Sequence, residues 1–316
     1  LGPMRTINLP PGVGSRTGLS ETAAQPGAIQ RFLFGTRFHP GFIQQLVLYL
    51  ILAALACVMT LPMFWMLSTA VRSNDLVFKI PPVWIPSPIV WSSFPASLQS
   101  SGQPVYLYAW NTVEISVLSV LGTVLSSTVV AFGFARLDFP GRDTLFTLVL
   151  CTLMLPFAVT MVPMFILFHA IGWLDTFKPL IIPAWFGGGA FNIFLLRQFF
   201  LSIPKEYDEA AHIDGAGSWT ILWRIIVPLS KPGLAAVTVF AFVFYWNDFL
   251  WPLVVISKQE HFTLSLFLAT FQVAQRSTPW NLLMAASTIV MLPTVAVFFF
   301  AQRLFIQGVA LTGLKG

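Results

Sequence analysis

Between Ile43 and Val71 the chain carries no charged side chain. A helix of about 20 apolar residues crosses the hydrocarbon core of a bilayer, and this stretch exceeds that length. It is also longer than the apolar core of a cleaved secretory signal, so it reads as a permanent anchor. Comparable stretches follow at about Tyr108–Arg136, Thr144–His169, Pro179–Phe200, Pro232–Ile256 and Asn281–Phe305. In hydrocarbon every backbone N–H and C=O needs a partner within the protein, which for such segments means helices. The predicted fold class is all-α, a polytopic membrane protein with six transmembrane helices. Composition agrees. Only 9% of residues are charged, against about a quarter in soluble domains, and mean hydropathy is +0.79.

The segments between spans are informative. Residues 1–40 are rich in Gly, Pro, Ser and Thr and read as a largely flexible tail up to about Gln30, with a short interfacial helix near Arg31–Phe34. The opening Leu1-Gly2-Pro3 ahead of Met4 reads as an appended remnant. Residues 72–105 hold Pro81, Pro82, Pro86, Pro88 and Pro95 between Trp84 and Trp91, the mark of an ordered loop lying on a membrane surface. Pro156 and Pro163 predict a kink in the third span. An even number of spans puts both termini on one side. Of the 17 Lys and Arg, twelve then fall on the side of the termini and five on the other, which places both termini in the cytosol of a plasma-membrane protein. The basic residues are scattered and form no stripe for nucleic acid. Cys57 and Cys151 lie inside apolar spans and read as small buried hydrophobes, with no disulfide framework or metal spacing.

The polar interlude from Ser202 to Pro228 stands apart. Ser202 is a candidate helix cap and Pro204 suits a first turn, while Glu206, Asp208 and Glu209 favour a helix N-terminus. Tyr207, Ala210 and Ala211 share one face by their spacing, and Gly215 and Gly217 stop the helix. A second helix begins at Ser218. Within this interlude Glu209-Ala210-Ala211, three residues, Gly215, nine residues, Ile225, one residue and Val227-Pro228 resemble the EAA loop of ABC importer permeases, with Val227 where that family has Leu.

The resemblance extends from about Leu46 to the end, to the carbohydrate-importer permeases of maltose-transporter type. It rests also on Ala135 to Arg142, on Leu195 to Phe200, on Trp246 to Leu253 and on the tail from Gln307 to Gly316. It implies a type I importer permease with three parts: a cytosolic tail over 1–40, a six-helix domain over 41–305 with a coupling loop at 202–230, and a C-terminal tail over 306–316. The implied partners are a second permease chain, two ATPase subunits, an extracytoplasmic solute-binding protein and a carbohydrate substrate, all working in a lipid bilayer. Glu209, Ala210, Ala211, Asp214, Gly215, Ile225 and Pro228 would couple to the ATPase, and Gln307, Gly308, Lys315 and Gly316 would touch it. No G-x-x-x-x-G-K-[ST] occurs, so ATP and Mg belong on the partner and this chain is not itself an enzyme.

Polar residues inside spans are costly and usually functional. Asn111 and Glu114 in the second span, Asn192 beside Gly187-Gly188-Gly189, and Trp246, Asn247 and Asp248 in the fifth are therefore candidates for the substrate pathway. Asp248 reads either as cavity-facing or as a cap or partner within the bundle. Alone it would also suit a self-sufficient secondary transporter, although no internal repeat accompanies it. An intramembrane enzyme would need a paired nucleophile and base or a metal cluster, and none is arguable.

Overall fold

The computed structural model describes residues 35–36, 39–100, 102–272 and 278–312. The chain falls into two compact units, Leu1–Pro62 and Met63–Gly316. In the first, a minimal antiparallel pair of β1 (Gly35–Thr36) and β2 (His39–Pro40) precedes helix α1 (Phe42–Ala70). Every side chain from Phe42 to Pro62 is exposed. A helix that is apolar all round and unburied is one whose solvent is hydrocarbon. The tail up to Gln30 and the turn near Arg31–Phe34 lie outside the described residues.

The second unit is built around α3 (Val105–Arg136), which packs along α7 (Ala190–Ser202) and α10 (Lys231–Asn247). Its buried face is small and hydroxylated: Ser116, Ser119, Gly122, Thr123, Ser127 and Thr128. Small residues let helices approach closely, and hydroxyls satisfy carbonyls that a broken neighbour leaves open. That neighbour is the fourth span. It runs as α6 (Lys178–Ile181), a 3₁₀ turn over Ile182–Trp185, three glycines and then α7. Ser119 Oγ donates to Leu180 O at 3.1 Å, and Ser126 Oγ donates to Ala184 O at 3.1 Å.

The third span does more than kink. Its halves, α4 (Arg142–Cys151, extended by a 3₁₀ turn to Met154) and α5 (Phe157–Ala170), meet at 98°. Leu155 and Pro156 are both extended, with ψ of 115° and 137°. Leu155 precedes a proline and is pushed out of the helical region, whereas Pro163 is accommodated inside α5. The fifth span also breaks, because α10 ends at Asn247 and Asp248 is extended before a short α11 (Leu250–Val255). Among the described residues four helical stretches are long and apolar enough to cross a membrane, and up to six spans result when two bent pairs, α4 with α5 and residues 218–229 with α10, each count as one.

After the short α12 (Leu264–Thr270), the last helix, α13 (Trp280–Thr312), continues past the expected end at Phe305, so the tail predicted from Ile306 begins as helix. Lys315 and Gly316 lie outside the described residues, as do the side chains of Gln307 and Gly308. Cys57 and Cys151 are exposed, not buried. In a membrane helix a small apolar side chain faces lipid at little cost, so span location does not imply core. The proline-rich loop is ordered as predicted. Fully buried Arg72 donates to Ser68 Oγ at 2.9 Å and to Val83 O, and its guanidinium lies 4.9 Å from the centre of the Trp65 ring. The loop's helix α2 (Ser93–Leu98) packs on α13, and Asn74 Oδ1 accepts from Trp280 N at 2.9 Å.

Candidate functional site

The EAA-like interlude forms two helices joined by a tight turn: α8 (Glu206–Ile213) and α9 (Ser218–Leu229), the latter with a π turn over Leu222–Ile226. Ser202 does not cap α8. It ends α7, its Oγ donates to Phe199 O, and Lys205 stands at the N-cap. Gly215 turns the chain at φ 81°, and a Cβ there would meet nothing, so backbone conformation alone demands glycine. α9 meets α10 at 81°.

The elbow is tied down by a residue that sequence reasoning had placed only as a span-end charge. Arg136, the last residue of α3, reaches Asp208 on α8 at 3.3 Å, with side chains 3% and 14% exposed. Its Nη2 also donates to Phe200 O at 2.7 Å and Ile203 O at 2.8 Å. One guanidinium thus joins the end of the second span, the end of the fourth and the first helix of the elbow. Removing one partner of such a buried pair leaves the other charge uncompensated. Beneath it Ala211, Ile221, Leu222 and Ile226 belong to one apolar cluster with Phe132, Leu196 and Phe200. Nearby, Arg197 Nε donates to Phe134 O at 3.2 Å, and its guanidinium lies 4.1 Å from the centre of the Phe146 ring.

This arrangement divides the predicted coupling residues. Ala211 is buried and Ile225 is partly buried against the cluster. Ala211 therefore does not share an outward face with Tyr207 and Ala210; its small side chain allows close approach to this chain's own bundle. Glu209, Ala210, Asp214, Gly215 and Pro228 are exposed. So are Tyr207, Ile213 and Trp219, at 53%, 86% and 64%. Three large apolar side chains thus stand exposed on a short, otherwise polar elbow.

The second feature is a cavity of about 640 Å³ walled by α5, the broken fourth span, α10 and α11. Asn192 and Asp248 line it, as do Gly188, Gly189, Tyr245, Phe244 and Trp251. The three glycines have φ of 101°, 63° and 84°. At Gly188 a Cβ would lie 2.5 Å from Thr123 O, so the glycine is required by space as well as by conformation. Asn192 Nδ2 donates to Gly188 O at 2.7 Å and stabilises the turn. Asp248 Oδ1 accepts from Trp251 N at 3.4 Å, a cap on α11. Asp248 both caps this helix and lines the cavity.

Two candidates are corrected. Trp246 is buried, with Nε1 donating to Val290 O at 3.0 Å and its ring stacked on Phe242, so it locks α10 to α13 and does not line this cavity. Its neighbour Tyr245 faces the cavity instead, bonded to Thr123 Oγ1 at 2.9 Å. Adjacent helical positions point about 100° apart. Tyr245 could have been found as the aromatic that shares a face with Ala241 and Asp248. Asn111 is also structural, with Nδ2 donating to Glu260 O at 2.8 Å and Phe262 O at 3.0 Å. Asn247 is exposed, its Nδ2 turned back to Val243 O, and Glu114 is half-buried outside the cavity lining.

At the far end of α5, Asp175 closes a small knot. It is the only described non-glycine residue at positive φ, 61°. Its carboxylate accepts from Ser257 N at 3.1 Å and Lys258 N at 2.9 Å, and its own N–H donates to Val255 O at 2.8 Å. Lys258 Nζ lies at 3.4 Å and His261 Nδ1 at 3.6 Å. Burial pushes the carboxyl up, but the two backbone N–H groups and Lys258 outweigh it and hold the group below its ordinary value.

Bent and broken spans around a cavity, beside an anchored elbow, are the architecture of a membrane permease. The chain belongs to the family of binding-protein-dependent transport system inner membrane components, whose model matches residues 122–311. It is a non-catalytic, multi-pass permease component of an ABC importer. It is 39% identical to the arabinooligosaccharides transport system permease protein AraQ of Halalkalibacterium halodurans, over 65% of this chain and 73% of that protein. It is 32% identical to the sn-glycerol-3-phosphate transport system permease protein UgpE of Yersinia enterocolitica, over 78% of this chain and 89% of that one. A bacterial ABC transporter involved in the import of the acidic polysaccharide alginate shares the fold, with a TM-score of 0.71 at 24% identity, over 83% of this chain and 96% of that chain.

Proposed function

We propose that this chain is one of two permease halves of a carbohydrate importer, with its elbow and both termini in the cytosol. The observation that carries the reading is the elbow itself: α8 is fixed to the bundle through Arg136 and Asp208 while Tyr207, Glu209, Ala210 and Ile213 stand free. An element anchored on one side and bare on the other transmits a push. A paired ATPase dimer closing on ATP would move α8 and α9, tilt the spans and switch access to the cavity. In this scheme Glu209 pairs with a basic group on the ATPase and Gly215 keeps the two elbow helices at their angle. The helix through Thr312 would carry Gln307 and Gly308 towards the same partner, with Lys315 and Gly316 beyond it.

Loading by an extracytoplasmic solute-binding protein follows from the family, and a hydroxyl-rich solute is consistent with the systems in which the relatives serve. Deleting 209–215 is expected to abolish capture of the cognate ATPase by membranes holding the chain, with insertion retained. ATPase capture undiminished by that deletion would contradict the coupling assignment.

A further inference from the structure

The loop between the first and second spans is built inside out. Its polar contacts turn inward. Ser68 Oγ donates to Trp84 O, buried Arg72 donates to Val83 O, and Val90 N donates to Val71 O at 2.8 Å. Its outward side chains are apolar. Phe78, Ile80, Ile85, Ile89 and Trp91 are exposed, Ile80 at 91% and Ile85 at 77%. No charged side chain occurs from Ile80 to Pro104. A loop bathed in water keeps its polar groups outside, whereas clustered exposed apolar side chains mark an interaction surface.

What covers this surface follows from its depth. The loop doubles back along α1, so that the Trp84 ring lies 6.4 Å from that of Phe64 and 5.2 Å from that of Trp65. Those residues stand five and six positions before the helix end at Ala70, about 8–9 Å back along its axis at 1.5 Å per residue. The 29 residues of α1 span about 43 Å, close to the full thickness of a bilayer with its headgroups. Trp84 therefore sits where headgroups meet hydrocarbon, the level at which indole rings gather. Irregular backbone is barred from lipid when its N–H and C=O groups lack partners. Here Pro81, Pro82, Pro86 and Pro88 have no N–H to satisfy, and the carbonyls of Val83 and Trp84 are taken up by Arg72 and Ser68. The prolines that forbid a helix thus suit this stretch to the lipid boundary.

We infer that residues 78–91 form a wedge seated in one leaflet, with Ile80, Ile85 and Ile89 among the upper acyl chains and lipid as the partner. On the orientation proposed above it is the outer leaflet. Behind the wedge α2 packs on α13, and Asn281 Nδ2 donates to Ser93 Oγ at 3.3 Å, so the wedge holds this end of the last span at one depth. The test uses the assembled transporter in lipid nanodiscs, with Cys57 and Cys151 replaced by alanine. A single nitroxide is attached at Ile80→Cys, Ile85→Cys or Ile89→Cys. Leu50→Cys on the exposed part of α1 and Asp75→Cys at the start of the loop serve as lipid and water references. Relaxation by oxygen is expected to exceed relaxation by a water-soluble nickel chelate at all three positions, as at Leu50, with the order reversed at Asp75. The labels should lie about 5–10 Å below the phosphates. Nickel-dominated relaxation at the three positions would place the loop in water, and shielding from both reagents would place it under a protein partner; either result overturns the inference. Neither bears on solute or on coupling, so the permease reading stands or falls separately.

Discussion

The two ends of the second unit are held together by opposite means. At the elbow, an apolar cluster of Phe132, Leu196, Phe200, Leu222 and Ile226 is continuous, and one buried guanidinium, Arg136, ties it down through Asp208 and the carbonyls of Phe200 and Ile203. At the cavity, helices stop: the fourth span at three left-handed glycines, the fifth at Asp248, the third at Leu155 and Pro156. Packed interiors move as bodies and do not bend continuously, whereas breaks in helices are where a bundle hinges. On the proposed reading, the contrast separates a lever from a gate. It also explains why costly features sit where they do. A buried charge is tolerable where it must fix one geometry, and open backbone groups are tolerable where side chains such as Ser119 and Ser126 satisfy them.

The largest effect is expected from breaking the lever. Arg136→Ala leaves Asp208 buried without its partner and frees the carbonyls of Phe200 and Ile203, at a cost of about 3–5 kcal/mol. Thermal unfolding of the purified chain, with limited proteolysis at 202–217, would register it; an unchanged melting point would contradict the keystone role. Next comes the gate. Gly188→Ala introduces strain at positive φ and a clash with Thr123 O, together costing roughly 2–4 kcal/mol. Gly215→Ala shares the conformational penalty without the clash, so it should lose less stability in the same assay.

The smallest effect concerns the knot at Asp175. Its carboxyl is held below the ordinary value of 3.8, so its contribution to stability is present above that value and lost as pH falls through the lower folded value. Asp175→Asn should therefore lower stability at neutral pH and flatten the acid limb. Hydrogen exchange of the amides of Ser257 and Lys258, measured against pH, would show it, and identical profiles would remove Asp175 from the account.

What could be read from the sequence follows the range of the forces involved. Span positions, the turn at Gly215 and the loosening at Gly187–Gly189 are local properties of composition and backbone freedom. The end of α10 before Asp248 was not legible, because the flanking residues continue an apolar run and only tertiary packing decides where the helix stops. Asn111 looked like a pathway residue because a polar group within an apolar span usually is one. Its partners, the carbonyls of Glu260 and Phe262, lie about 150 residues away in sequence. Tyr245 is marked in the sequence only by its helical spacing from Ala241 and Asp248, a fainter signal than the indole of Trp246 beside Asn247. The anchoring role of Arg136 was not legible either, since nothing local connects it to Asp208.

The central claim is that the elbow drives the gate from outside the membrane domain through contacts of α8. The most direct measurement compares solute uptake with ATP hydrolysis in the assembled transporter carrying Glu209→Lys. This substitution lies on the exposed face and leaves Arg136 and Asp208 paired. The account predicts normal membrane insertion with uptake lost or uncoupled from hydrolysis. Wild-type uptake per ATP in that variant would contradict it.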